Sequence, residues 1–89
     1  MEYYLFFEDE NGNLHQVGYV NGAGLESKEI MDSLWVQMEK YIHETLGVDK
    51  VWYYNIWNAD GFTIVDYGSH SKFFRIRPIP PWAHEDPAV

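Results

Sequence analysis

The chain has 89 residues, a formal net charge of −8 and no cysteine. This is material for one domain. It excludes a disulfide framework and every thiolate metal site, and a field of this sign repels nucleic acid and anionic lipid while attracting basic surfaces. A hydrophobic fraction of 46%, with 18% aromatic, excludes disorder. The opening "MEYYLFFEDE" has neither the basic start nor the apolar run of a signal peptide, and no stretch approaches the ~20 apolar residues of a membrane span. The expected location is the cytoplasm.

Residues 2–8 and 14–20, "EYYLFFE" and "LHQVGYV", read as two strands. The intervening Asn11-Gly12 is a strong hairpin signal, because a type I′ turn needs positive φ at both central residues. With those two residues as the loop, Phe6 opposes Val17, Tyr4 opposes Tyr19 and Glu8 opposes His15 on one face, while Leu5 faces Gly18 and Tyr3 faces Val20 on the other. Gly18 leaves a gap, the mark of a bulge or of a site where a ring packs over the backbone.

"NGAGLE" breaks the alternation and hands over to a helix. Ser27 is the expected N-cap, with Glu29 in the first turn favoured by the helix dipole. Ile30, Met31, Leu34, Trp35, Met38, Tyr41, Ile42, Thr45 and Leu46 fall in one arc at 3.6-residue spacing, and polar residues fill the opposite arc. Gly47 stands where a left-handed turn ends such a helix. One apolar face covers one face of a sheet.

Residues 51–68, "VWYYNIWNADGFTIVDYG", then place rings on both faces of a second hairpin. "NADG" reads as a type I turn closed by Gly61, with Asn58 opposite Phe62. One face collects Trp52, Tyr54, Ile56, Phe62 and Ile64; the other collects Val51, Tyr53, Trp57, Val65 and Tyr67. Neither face is polar, whereas a half-solvated antiparallel strand alternates. The hairpin is therefore covered twice or exposed for a purpose.

A last strand, "KFFRIRP", carries Phe73, Arg75 and Arg77 on one side and Lys72, Phe74 and Ile76 on the other. Pro78 is expected to end it, because proline donates nothing to a ladder. The reading is an α+β domain over residues 1–77, in the order ββαβββ, with an antiparallel sheet of about five strands and one helix on one face. A proline-rich extended tail follows over 78–89.

Catalytic and metal motifs are sparse. His15, His43, His70 and His84 lack the spacing of a zinc site. "DYGSHS" offers Asp66, Ser69, His70 and Ser71, but neighbouring loop residues seldom give a serine both a base and an oxyanion hole, and a polar turn is the simpler reading. Asp66, facing Trp52 and Tyr54, more often pairs with a cation or caps a strand end than acts as an acid. "NGAGLE" lacks the lysine and the spaced glycines of a phosphate loop. Ring stacking on single-stranded bases wants a basic groove, and only Lys72, Arg75 and Arg77 cluster. Arg75 through Pro81 matches a short polyproline-binding pattern that is too common to carry weight. The expectation is a protein without enzymatic activity, cofactor or metal, and without direct nucleic-acid or membrane binding.

The surplus aromatic face has three uses open to it: a homo-oligomer interface, a surface for another protein, or a bed for the tail through Ile79 and Trp82. In size, charge and lack of cysteine or catalytic motif, the chain resembles the small inhibitors encoded by phages and other mobile elements, such as anti-CRISPR proteins and nucleic-acid mimics. That resemblance is of composition, with no shared motif, and it implies a partner with a basic, nucleic-acid-handling surface. The candidate partner-binding residues are Glu8, Asp9 and Glu10 on the first turn, Glu26, Glu29 and Asp32 around the helix start, and Tyr53, Trp57, Tyr67 and Trp82 as buried contacts. The rival expectation is a self-associating structural or assembly protein, a possible homodimer, using the aromatic sheet face as its subunit interface.

Overall fold

The computed structural model describes residues 1–79. Their elements are β1 (Glu2–Glu8), β2 (Leu14–Asn21), α1 (Ser27–Glu44), β3 (Asn55–Ala59), β4 (Phe62–Asp66) and β5 (Phe73–Ile79). The five strands form one antiparallel sheet in the order β2-β1-β5-β4-β3. The two hairpins do not touch through their own strands. The last strand enters between them and joins the two halves. No helix among the described residues is long and apolar enough to cross a membrane.

The first hairpin keeps the expected register from Tyr3 to Leu5 and then shifts: Phe6 pairs with Gln16 and Glu8 with Leu14, not with Val17 and His15. Val17 is the extra residue of a β-bulge beside Gly18, and it turns towards the helix-side core. The connecting loop is longer than Asn11-Gly12. Asp9 organises it, accepting the Gly12 amide on its carbonyl at 2.9 Å and the Asn11 and Asn13 amides on Oδ1 at 2.9 and 3.0 Å.

The helix begins one residue before the expected cap. Glu26 holds the extended N-cap position, and its amide donates to Glu29 Oε1 at 3.1 Å. The Glu three positions after the cap is what selects Glu26 over Ser27. Ile30, Leu34, Met38 and Ile42 are the buried stripe, flanked by Met31, Trp35, Tyr41 and Leu46. Gly47, at φ 69°, turns the chain back so that the Val48 amide reaches the Ile42 carbonyl.

The second hairpin departs from the expected register by one residue. Its loop is Asp60-Gly61, with φ of 54° and 80°, so Ala59 pairs with Phe62 and Trp57 with Ile64. Residues 51–54 are not strand. A slip of one reverses which side chains are companions across the ladder. Ile56 therefore lies across from Val65 on the helix side, and Trp57 across from Ile64 on the far side. β5 also runs further than expected, through Pro78 and Ile79. β4 has turned away by that point, so Pro78 pairs only with Tyr3 of β1, the setting in which a strand proline is tolerated. The remainder of the expected proline-rich arm lies outside the described residues.

The helix-side core joins Leu5, Phe7, Val20, Val65, Tyr67, Phe74 and Ile76 of the sheet side to the four buried residues of α1. Phe7, Phe74, Tyr41 and Tyr67 pack as a tilted and edge-to-face group with centroids 5.2–6.0 Å apart. The two edges of the sheet differ. On β2, the Gln37 side chain bonds both backbone groups of Tyr19. Beyond β3 there is no neighbour among the described residues.

Candidate functional site

Alternation along the strands puts a second set of aromatic residues on the face that α1 leaves uncovered. β1 contributes Tyr4 and Phe6, β2 Tyr19, β4 Phe62 and Ile64, β5 Phe73, Arg75 and Arg77, and β3 Trp57, all by register with one another. The rings touch. Tyr19 and Tyr4 lie 5.5 Å apart, Tyr4 and Phe6 6.3 Å, and Phe6 reaches across β5 to Phe62 at 6.3 Å. Trp57 meets Phe73 edge-on at 5.9 Å across β4, over a strand whose Ile64 is buried.

Charge on this face is internally balanced. Arg75 Nε donates to Glu8 Oε1 at 2.7 Å, both side chains being about four-fifths buried. The Arg75 and Arg77 guanidinium groups lie 5.3 and 5.7 Å from the Phe62 ring centroid, within cation–π range. At the β2 margin the Tyr19 hydroxyl donates to Glu2. That bond, with some desolvation, pushes the Tyr19 pKa up to about 12.

The expected contact residues are not gathered into one patch. Trp57, 41% exposed, belongs to the uncovered face. Tyr67, 9% exposed, is part of the helix-side core against Phe74. The one-residue slip separates the two. Tyr53 lies in the loop before β3, where its hydroxyl and His70 Nε2 are 3.0 Å apart. Trp82 lies outside the described residues.

The acids likewise occupy two separate places. Glu8, Asp9 and Glu10 stand at the β1–β2 turn, while Glu26, Glu29 and Asp32 stand at the start of α1. Between them run the eight residues of β2, about 25 Å of strand. Most are engaged: Glu8 by Arg75, Asp9 by His15 at 2.9 Å, Glu10 by Lys72 at 3.8 Å, Glu29 by the cap and Asp32 by Lys28 at 2.8 Å. The hydrogen bond from His15, then that from the Asn13 amide, holds the Asp9 carboxyl below the usual range. Asp32 holds the Lys28 ammonium above its usual value.

The "DYGSHS" loop is a structural turn. Asp66, 3% exposed, accepts the Gly68 amide at 2.8 Å and faces His70 Nδ1 at 3.4 Å. Ser69 Oγ donates to the Lys72 carbonyl and accepts the Ser71 and Lys72 amides. That leaves its oxygen bound within the turn rather than available to a substrate. His15, His43 and His70 each have a separate local partner, and no group of three metal-ligating side chains lies together among the described residues.

Sequence reasoning passed over Tyr4, Phe6, Tyr19, Phe62 and Phe73 as members of the site. Their alternation was visible, but the uncovered face is defined only when β5 enters between β1 and β4. Comparison with protein-family models, with curated proteins and with solved structures finds no match to this chain.

Proposed function

We propose that this protein is a non-catalytic protein-binding module that inhibits or modulates a basic, nucleic-acid-handling partner, in the manner of the small phage and mobile-element inhibitors it resembles in composition. The observation that carries the reading is the pair of ring groups, Tyr19–Tyr4–Phe6–Phe62 and Trp57–Phe73, on the sheet face that α1 leaves uncovered, with Arg75 on the same face. Tyr, Trp and Arg are the residue types that dominate binding energy when a contact is desolvated. The net charge of −8 adds long-range attraction to a basic surface and raises the encounter rate. In this reading the acids act as a field, since the two clusters stand at opposite ends of β2, and the rings make the contact.

The test is capture from a nuclease-treated lysate of the native host, comparing the wild-type chain with Trp57→Ala and Phe62→Ala, and with Lys40→Ala on the outer side of α1. One stoichiometric protein with a basic groove, retained by wild type and Lys40→Ala and lost by the two ring variants while their circular dichroism is unchanged, supports the reading. Equal retention by all four, or recovery of the bait alone, overturns it.

One observation favours self-association on the same face. Glu2 and Glu8 cancel Arg75 and Arg77 there, so two copies meet without the repulsion their total charge would impose. This reading expects a mass that rises with concentration in sedimentation, and a fixed monomer mass rejects it.

A further inference from the structure

An open cleft of about 380 Å³ lies between the loop that precedes β3 and the β4–β5 turn, with Val48, Lys50, Trp52, Tyr53, Tyr67 and Lys72 among its walls. Its volume is near the lower end of small-molecule sites, which run from about 300 to 1,000 Å³. That is room for one or two rings.

Four features of the walls are unusual for this chain. Two of its six cations line the cavity, in a protein with fourteen acids. Lys72 has only the 3.8 Å contact with Glu10, and Lys50 has no carboxylate within ion-pair distance among the described residues; its ammonium sits 4.2 Å from the Trp52 ring centroid. Trp52 is 80% exposed, the most exposed large apolar side chain described, although tryptophan is costly to leave wet. Tyr67, nine-tenths buried as a residue, forms part of the wall; its hydroxyl bonds no other described residue, and because no fully buried polar side-chain atom among them lacks a partner, that oxygen reaches solvent.

The opposite wall is braced. Asp66 is anchored by the Gly68 amide and stands 3.4 Å from His70 Nδ1, while His70 Nε2 and the Tyr53 hydroxyl are 3.0 Å apart. His70 holds φ at 64° to do so, a conformation that costs a non-glycine residue energy and persists only when its surroundings enforce it. The Tyr53 hydroxyl is thereby tied to the β4–β5 turn.

We infer that this cavity binds a small aromatic molecule bearing an oxyanion, carboxylate or phosphate. The ring stacks between Trp52 and Tyr53, and the oxyanion meets Lys50 and Lys72 and accepts the Tyr67 hydroxyl. The inference does not depend on the protein-binding reading, because none of the rings on the uncovered face takes part.

The test is a titration of the ¹⁵N-labelled full chain with indole-3-acetate, phenyl phosphate and the neutral indole-3-ethanol, followed at the Trp52 indole N–H and the amides of residues 48–53 and 67–72. The expected result is a saturable shift there with at least one of the two anions, and binding of the neutral analogue weaker by about tenfold or more. Lys50→Ala removes most of that preference, and Tyr67→Phe, which keeps the ring in the core, weakens the anion alone. Tighter binding of one anion identifies the oxyanion. Equal affinity for charged and neutral probes, a Lys50→Ala variant that binds as wild type, or shifts confined to other residues would overturn the assignment.

Discussion

Gln37, in the middle of α1, meets Tyr19 as a neighbouring strand would: its Oε1 accepts the Tyr19 amide at 2.8 Å and its Nε2 donates to the Tyr19 carbonyl at 3.0 Å. The approach requires Gly18, because a Cβ there would lie 2.3 Å from Gln37 Oε1. Replacing Gln37 by alanine is expected to cost about 1–2 kcal/mol, from two partly exposed hydrogen bonds. Gly18→Ala should lose the same bonds by displacing the amide. Urea denaturation of both single variants and the double variant checks this, and the effects should fall well short of additive.

Trp57 and Tyr67 are expected to respond oppositely to truncation. Trp57→Ala removes one edge-on contact with Phe73, a loss of about 1 kcal/mol, and leaves a folded protein. Tyr67→Ala opens a cavity against Phe74 and Val65 and should cost about 3–5 kcal/mol, while Tyr67→Phe keeps the packing and stays folded. Thermal unfolding with near-ultraviolet circular dichroism distinguishes the three.

At the Asp60-Gly61 turn both residues have positive φ, so Gly61→Ala should destabilise by about 1–2 kcal/mol and Asp60→Asn should be close to neutral. Equal losses at both positions in chemical denaturation would argue against this positive-φ pair.

The pH dependence has two ends. Tyr19 titrates at about 12 in the folded chain against an ordinary 10.0, so the fold favours the neutral phenol. Its contribution is complete below pH 10 and is lost as pH rises from there through 12. Tyr19→Phe should flatten that alkaline slope, and absorbance at 295 nm should show a late-titrating tyrosine that this variant loses, distinct from Tyr54, whose phenol burial also pushes up. Asp9 is depressed by its bonds from His15 and the loop amides. Its contribution is present above the usual carboxylate range and is lost as pH falls through its lowered value. Asp9→Asn should therefore remove part of the stability difference between neutral and acidic pH in denaturant titrations.

Much of the fold was legible because different signals agreed. The 3.6-residue stripe from Ile30 to Ile42 and the alternating runs at 2–8 and 14–20 pointed to one answer, and Gly18 announced its own bulge. The second hairpin failed for a physical reason. "NADG" accommodates a three-residue loop or a two-residue one, and strands apolar on both faces carry no pattern that rejects a slip of one. The same apolarity made residues 51–54 look like strand, whereas Tyr54 instead packs on Trp35 with ring centroids 4.6 Å apart. The site was less legible still. Glu8 finds its partner in Arg75, 67 residues away, and no local rule places β5 between the hairpins or tells an acid free to meet a partner from one already held.

The two borders of the sheet give the molecule a valence. β2 is closed at Tyr19 by Gln37 and distorted at Val17. β3, "NIWNA", has no ionisable side chain, proline or bulge, and those are the devices that ordinarily discourage lateral strand addition. Among the described residues β3 is the border left without such a device. A second copy added edge to edge there would use up that border, and a pair so formed would present β2, held at Tyr19 by Gln37, on both sides.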